Sequence, residues 1–402
     1  MMTPTTIETP TGTAQTMVLN MGPQHPSTHG VLRVILELNG EIVVKAEPII
    51  GYLHTGIEKS CEAKTYSQAI TLTDRIDYLA PLSNNLGYCL AVEKLLGLEA
   101  PKRAQYIRVL LTELTRIASH LVWVGTHAID LGAMSVFLYT FREREEIMKI
   151  FEYVSGQRMM TSYFRVGGLA LEPPPGYIEK IRRVMDALPG HIDEYEDLLT
   201  NNRIWLGRTK GIGIISADDA IAMGCSGPML RGSGVAYDVR KAFPYSSYED
   251  FNFEIQTQTA GDCFARYQVR VAEIRESIKI VRQAMEKVFK MDGPIRTEAP
   301  GIIPPSREEM KTSIEGLIYH FKIYTEGFAP PPGEVYQVIE SPRGELGFFV
   351  ASDGSAKPYR VKVRAPSFVN LQSLSKLVVG RLIADVVACI GTTDIVLGEV
   401  DR

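Results

Sequence analysis

The segment 101–124 reads PKRAQYIRVLLTELTRIASHLVWV and carries the strongest helix signal in the chain. Apolar side chains recur along it at the spacing of a helix that buries one face. They are Ile107, Leu110, Leu111, Leu114, Ile117, Leu121 and Val124. Pro101 stands at its start, where a missing backbone N–H costs nothing. We expect a break or weak point at Gly125 and Gly132, and a resumed helix through residues 137–154.

Helical patterns continue on both sides of this segment. They begin near residue 60, and 177–200 forms a further block that we expect Pro189 to interrupt. Another helix is predicted over 262–290, ending before a Gly-Pro pair. A last helix is predicted over 373–389, followed by an extended acidic C-terminus.

Both ends of the chain carry β signals. Apolar and polar residues alternate over 31–38, and Asn39-Gly40 is typical of a tight hairpin turn. A three-stranded meander is predicted over residues 335–339, 346–350 and 359–363. The predicted fold class is therefore α+β, mainly α, with a central helical bundle and small antiparallel β elements at the N- and C-terminal ends.

The chain divides into four predicted regions. Residues 1–16 hold seven Thr and no Lys or Arg, and we read them as a disordered tail. Region 17–60 is an N-terminal β region, 61–330 the helical bundle, and 331–402 a meander, helix and C-terminal segment. The tail lacks the features of a secretory signal or a transit peptide, so a cytoplasmic bacterial protein is expected.

Length, composition and charge exclude several classes of protein. The 402 residues are 45% hydrophobic and 22% charged, which excludes collagen, coiled-coil rods and wholly disordered chains. The net charge of −4 offers no basic field for nucleic acid. No run of about 18 apolar residues predicts a membrane span. The five scattered cysteines include no C-x-x-C pair, so we expect buried free thiols, not a disulfide framework or a Cys-ligated metal.

The loop GPQHPSTHG at 22–30 is the most unusual segment of the chain. It places two His, two Pro and two Gly just before a predicted strand, so its backbone must follow a specific irregular path. Its imidazoles could bind a metal, donate protons or contact a ligand. The plain alternative is a surface loop without function. Pro26 argues against a helix that would bring His25 and His29 onto one metal ion.

A line of polar residues follows the main helix through its apolar background. The line comprises Glu113, Arg116, His120, His127 and Asp130. We expect Asp130 to be partly buried and therefore paired. A purely structural ion pair is the alternative.

Two further patterns bear on chemistry. The segment Asp74–Tyr78 reads either as a helix with a solvated charged face or as a support that points the Tyr78 hydroxyl into a pocket. The glycine clusters at 207–213 and 232–234 match neither a phosphate loop nor a dinucleotide fingerprint, so a nucleotide site is rejected. These physical signals alone leave the function open.

Seven segments together resemble the family of the 49-kDa (D-type) subunit of proton-pumping NADH:quinone oxidoreductase, respiratory complex I. They are MGPQHPSTHGVLR (21–33), GYLHTGIEK (51–59), DRIDYLAPLSNN (74–85), TELTRIASHL (112–121), GPMLRGSGVAYDVRKAFPY (227–245), SPRGELGFFV (341–350) and APSFVNLQSL (365–374). The match runs from about residue 17 to the C-terminus, which leaves only the Thr-rich tail outside.

The resemblance implies a fold similar to the large subunit of nickel–iron hydrogenases. Those enzymes hold their metal with two C-x-x-C pairs, and the corresponding stretches here are 53–58 and 394–399. Neither contains cysteine. A nickel–iron centre would lack its thiolate ligands, so hydrogenase chemistry is rejected and no cofactor or metal is expected on this chain.

The resemblance also implies a quinone headgroup site in the cavity that the metal vacated. His29 and Tyr78 would contact the quinone, and Asp130 would be the carboxylate partner of His29. His25 and Thr28 of the same loop are further candidates for quinone contact. Quinone reduction at this site would be coupled to proton translocation.

Two positions depart from the family pattern near the terminal iron–sulfur cluster of a partner subunit. Thr55 replaces an Arg that many members carry, and Met160 replaces a His. Both changes remove positive or titratable groups.

The implied partners are the other subunits of the complex, which hold NAD and the iron–sulfur clusters. They are the cluster subunit (B type), the 30-kDa type subunit (C), the ferredoxin-like subunit (I) and the membrane quinone-channel subunit (H); nucleic acid is not among them. The chain would act as part of an H⁺-translocating oxidoreductase, peripheral on the cytoplasmic side of the bacterial inner membrane. The alternatives are a scaffold subunit without quinone contacts and a subunit of a ferredoxin-linked or plastid-type complex.

Overall fold

Helices dominate the chain, whose computed structural model describes residues 4–9 and 12–402, with side chains from Thr16 onward. In chain order they are α1 (Ile57–Glu62), α2 (Tyr66–Thr73), α3 (Pro81–Leu96), α4 (Lys102–Asp130), α5 (Met134–Ser155), α6 (Tyr177–Leu199), α7 (Arg203–Thr209), α8 (Ala217–Ala222), α9 (Pro228–Arg231), α10 (Val239–Ala242), α11 (Cys263–Phe289), α12 (Arg307–Thr312), α13 (Ile314–Thr325), α14 (Pro366–Leu371), α15 (Leu374–Val378), α16 (Ile383–Thr393) and α17 (Leu397–Asp401). The predicted fold class, α+β and mainly α, is confirmed.

The strands form three small antiparallel sheets. They are β1 (Pro4–Thr9), β2 (Gly12–Met21), β3 (Arg33–Asn39), β4 (Ile42–Ile49), β5 (Phe164–Arg165), β6 (Gly168–Leu169), β7 (Gly333–Ser341), β8 (Gly344–Ser352) and β9 (Arg360–Arg364). Their orders are β1-β2-β3-β4, β5-β6 and β7-β8-β9. The predicted meander is confirmed, and the alternation in β3 buries Val34, Leu36 and Leu38 on one face.

The main helix α4 forms the centre of the bundle. It is buried over most of its length, because α3, α5, α11 and α16 pack around it. Gly125 does not interrupt it, which corrects the predicted break. A Cβ at this position would overlap Oγ1 of Thr140, so the glycine lets α5 approach α4 closely. The expected break at Gly132 is present, with φ +94°.

Other helix boundaries also differ from the predictions. Pro189 lies inside a continuous α6, which is held by buried side chains on either side of it. The predicted helix 373–389 is split into α15 and α16 around Gly380, whose φ is +79°. The predicted extended C-terminus instead contains the helix α17. Tertiary packing supplies most helical stability, so local patterns locate helix ends poorly.

The Thr-rich segment enters the N-terminal sheet. Residues 4–9 and 12–16 are extended and antiparallel, where the sequence predicts a disordered tail. The β-branched Thr residues suit paired strands. Residues 1–3, 10 and 11 of that predicted tail lie outside the described residues. The remaining domain boundaries stay predictions.

The cysteine prediction is confirmed. All five thiols are free and buried. Across residues 4–9 and 12–402, no helix is long and apolar enough to pass through a bilayer.

Candidate functional site

His29 and Asp130 lie in contact, although 101 positions separate them in the sequence. Nε2 of His29 is 2.8 Å from Oδ2 of Asp130, and the two side chains are 15% and 11% exposed. Asp130 is the last residue of α4. His29 follows a short 3-10 turn, Pro26–Thr28, and has the left-handed φ of 51°. The turn packs against α16, which fixes the imidazole at the end of α4.

The other candidates in this loop shape the turn. Nδ1 of His25 accepts a hydrogen bond from the N–H of Ser27 at 3.2 Å, and His25 is exposed. Thr28 is fully buried, and its hydroxyl donates to the carbonyl of His25 at 2.8 Å. Both side chains therefore hold the turn that presents His29.

Tyr78 lies half-buried between α2 and α3. Its hydroxyl makes no hydrogen bond to any residue that the structure describes. Burial raises the pKa of the Tyr78 phenol above its usual value, so the group is a neutral donor near pH 7.

The C-terminal helix α17 brings the His29 loop and Tyr78 to one place. A Cβ at Gly30 would lie 3.3 Å from Cδ1 of Leu397, and a Cβ at Gly398 would lie 3.4 Å from Cε1 of Tyr78. Two adjacent residues of α17 thus touch the two segments. A single short helix fixes the imidazole and the phenol relative to each other.

A buried arginine supports the segment that carries Tyr78. Nη1 of Arg343 is 2.5 Å from Oδ2 of Asp77, and its Nε donates to the carbonyl of Asp394 at 2.9 Å. Asp74 and Asp77 are fully buried, so the predicted solvated face is wrong. The sequence pattern assigns Arg343 to an ordinary hairpin turn, and only its place in the SPRGELGFFV match singles it out.

Two buried carboxyls near this arginine have raised pKa values. Burial, helped by the charge of Asp77, raises the pKa of Glu399 on α17 to about 7, although the N–H and hydroxyl of Ser367 donate to it. Burial also raises the pKa of Asp74 to about 6, against the hydrogen bond from Ser162. Both carboxyls can exchange protons near neutral pH. Sequence reasoning missed the role of Glu399.

The two stretches compared with hydrogenase motifs lie side by side. The N–H groups of Gly51 and Leu53 donate to the carboxylate of Asp401 at 2.9 and 2.7 Å. Nδ1 of His54 is 2.7 Å from the carbonyl oxygen of Asp401. Among the described residues, no three His, Cys, Asp or Glu side chains are grouped so as to hold a metal ion.

The two positions that depart from the family pattern lie at the surface. Thr55 is exposed in the loop before α1, and Met160 is half-exposed after the C-terminal end of α5.

The polar line along α4 separates into two groups. Glu113, Arg116 and His120 belong to a fully buried ionic network with α10, α11 and β7. His127 and Asp130 lie at the opposite end, beside His29. The structural alternative therefore holds for the first three residues, and the contact with His29 concerns only the last turn.

Comparison with known proteins identifies the family. The family model described as "Respiratory-chain NADH dehydrogenase, 49 Kd subunit" matches residues 130–402. The first of the D-type subunits of NADH-quinone oxidoreductase from Solibacter usitatus is 67% identical over 96% of this chain and 94% of the relative. The second D-type subunit from Koribacter versatilis is 62% identical over 97% of both chains, and the second from Chloroflexus aurantiacus is 60% identical over the full length of both. The chain belongs to the 49-kDa subunit family of respiratory-chain NADH dehydrogenase, the D-type subunits of NADH-quinone oxidoreductase.

Proposed function

We propose that this chain forms the quinone headgroup site of an NADH:quinone oxidoreductase, beside the terminal iron–sulfur cluster of a partner subunit. The observation that carries the proposal is the His29–Asp130 contact, joined through α17 to the unpaired hydroxyl of Tyr78. An imidazole and a phenol are thereby available to the two carbonyl oxygens of one ring.

The chemistry needs two proton donors. Two-electron reduction leaves a quinone dianion, which must gain two protons, and donors at both oxygens stabilise the developing charge. Asp130 occupies Nε2 of His29, so Nδ1 is the nitrogen left to face a quinone oxygen. In its protonated form His29 donates from Nδ1 while Asp130 stabilises the cation. Tyr78 donates its hydroxyl at the other oxygen.

The proton given up by His29 changes the charge beside Asp130. We propose that this local change starts the coupling of quinone reduction to proton translocation elsewhere in the complex. Buried carboxyls that titrate near neutrality, Glu399 and Asp74, provide further proton-exchanging groups around Tyr78. The pumping itself would take place in partner subunits.

The partners would be the cluster subunit (B type), the 30-kDa type (C), the ferredoxin-like subunit (I) and the membrane quinone-channel subunit (H), at the cytoplasmic face of the bacterial inner membrane. NAD and the clusters would belong to those partners. The α13 surface supports association, because several large apolar side chains there are exposed. They are Ile314, Leu317, Phe321 and Tyr324.

A photoreactive short-chain quinone tests the site in the assembled complex. We expect light-dependent labelling within residues 22–30 and 76–78, suppressed by excess unmodified quinone, because these segments carry the two donors. Peptide mapping by mass spectrometry reads out the positions. Competable labelling confined to another subunit would favour the scaffold alternative. The names of the relatives favour the NADH-linked over the ferredoxin-linked complex.

The cluster potential provides a second prediction. Thr55 and Met160 stand where many members carry Arg and His, so fewer charged or titratable groups respond to cluster reduction. We expect the potential of the terminal cluster to depend less on pH than in members with both residues. Redox titration of the assembled complex at several pH values measures this, and introducing Met160→His should restore a steeper dependence. A steep dependence in the unaltered complex would contradict the prediction.

A further inference from the structure

His127 is a buried imidazole without a hydrogen-bond partner. It lies fully buried in the last turn of α4, stacked on Trp123 at 5.0 Å between ring centroids and edge-on to Trp205 at 5.3 Å. Within the described part of the chain, neither ring nitrogen makes a hydrogen bond. A buried N–H left unpaired destabilises the fold by roughly 1–3 kcal/mol, so this arrangement needs a functional reason.

His127 and Asp130 face the same backbone atom. They are three residues apart on α4 and therefore neighbours on its surface. A Cβ at Gly391 of α16 would overlap Nδ1 of His127 and lie 3.5 Å from Oδ2 of Asp130. That oxygen is the one that contacts His29. Trp123 fixes the position of α16, because its Nε1 donates to the carbonyl of Gly391 at 2.7 Å.

The surroundings keep His127 neutral. Burial is the main cause that holds its pKa well below the usual value, and the positive charges of His29, Arg270 and Arg266 act in the same direction. The two arginines belong to α11, and the guanidinium of Arg270 lies 4.1 Å from the ring centre of Trp123. From α7 and α16, His127 meets the ring of Trp205 and the backbone of Gly391. A neutral imidazole carries one N–H, which has no acceptor while Asp130 is bound to His29.

We propose that His127 is a positioning residue that provides the second hydrogen-bond partner of Asp130. This inference rests on the proposed quinone function. Protonated His29 holds the carboxylate by a charge-assisted hydrogen bond, which is about twice as strong as a neutral one. Once His29 has given its Nδ1 proton to the reduced quinone, two neutral N–H donors compete for Asp130. The buried donor of His127 has no other acceptor, so the carboxylate turns to it. No bond to hydrogen breaks in this second step.

Three substitutions of His127 in the assembled complex test the inference. His127→Phe keeps an aromatic ring and removes both nitrogens. His127→Gln keeps a donor at the Nε2 side, away from Asp130. His127→Asn keeps a donor at the Nδ1 side. The measurement is the pH profile of kcat and KM for a short-chain quinone, with electron transfer to an artificial acceptor upstream of the quinone site as the control.

We expect His127→Phe and His127→Gln to move the alkaline limb of the kcat profile about one pH unit upward, since Asp130 then stays on His29 and stabilises its protonated form. The kcat at neutral pH should fall about ten-fold, the effect of losing one hydrogen bond to a charged group. KM should stay within about two-fold of wild type, since His127 does not contact the quinone. His127→Asn should keep the alkaline limb in place. A merely structural role would lower activity without moving the limb.

The inference is overturned if the limb of His127→Phe coincides with that of wild type, or if His127→Gln and His127→Asn give the same limb. The comparison of Gln with Asn decides the matter if the Phe variant does not assemble. His29→Ala, measured in parallel, separates the two levels. Retained quinone reduction in His29→Ala contradicts the proposed function, whereas its loss together with an unmoved limb in His127→Phe contradicts only the role of His127.

Discussion

His29→Ala should lower quinone reduction by about 10²–10³-fold in a complex that assembles normally. Positioned general acids contribute typically about 10²–10⁴-fold, because they supply a proton where negative charge develops. The imidazole is also the contact of Asp130, at 2.8 Å, so its loss leaves that carboxylate in a pocket without its donor. Steady-state quinone reduction by the assembled complex measures the effect.

Tyr78→Phe tests the second donor with a smaller change. It removes one hydroxyl that makes no hydrogen bond within the described residues, so the fold should tolerate it. We expect a loss of about 10²-fold, similar to the removal of a single hydrogen-bond donor from a charge-stabilising site. KM for quinone should rise as well, because this hydroxyl orients the bound ring.

Matched controls separate site effects from general damage. His191→Ala on α6 and Tyr359→Phe before β9 make the same chemical changes at exposed positions. They should leave quinone reduction within about two-fold of wild type, as expected for surface substitutions away from a site. If both site variants also reduce quinone normally, the scaffold alternative is the better description of this chain.

The second large effect concerns folding and follows from Glu113 at the centre of the bundle. This fully buried carboxylate accepts hydrogen bonds from Arg240 at 3.0 Å, Tyr248 at 2.6 Å and Ser277 at 2.7 Å. Arg116 lies 3.3 Å away. Burial opposes its ionisation, but Arg116 and Arg240 hold the pKa of Glu113 below its usual value. The carboxylate therefore compensates two buried cations.

Glu113→Ala should lower the free energy of unfolding by about 3–5 kcal/mol, because it leaves buried guanidinium groups without a counter-ion. A domain is stable by only about 5–15 kcal/mol, so this single change should strongly reduce the yield of assembled complex. Urea unfolding of the purified chain, followed by the fluorescence of its two tryptophans, measures the difference.

Glu146→Ala on α5 is the matched control. Glu146 forms an exposed pair with Lys149 at 2.6 Å, and such pairs contribute at most about 1 kcal/mol. The folded-state pKa of Glu113 lies below its unfolded value, so its stabilising contribution is present above that unfolded value and is lost as pH falls through the folded-state pKa. The gap between wild type and Glu113→Ala should therefore narrow in acid. Equal effects of the two substitutions at pH 7 would contradict the role of the buried network.

Sequence patterns predicted the elements better than their ends. The meander and the buried face of β3 were visible because side chains alternate along a strand. Gly125 and Pro189 misled the prediction, because packing against neighbouring helices outweighs the local preference of one residue. The hairpin turn illustrates the same point: Gly40 has positive φ, whereas Asn39 is the last residue of the strand.

The site residues divide in the same way. His29, Tyr78 and Asp130 were identified through motif resemblance, since loop composition and helix spacing alone left a structural alternative open. Arg343 and Glu399 were not predicted as buried charges, because their burial depends on segments far away in the chain.

The sequence by itself determined the helical bundle, the flanking strands, the free cysteines and the family, because each is written in local periodicity, composition or contiguous motifs. Only the tertiary structure decided that Asp130 meets His29, that α17 joins the His29 loop to Tyr78, and that His127 faces Asp130 across Gly391. The physical reason is that burial and proximity arise from long-range packing. A side chain's electrostatic environment is set by neighbours that its own segment does not contain.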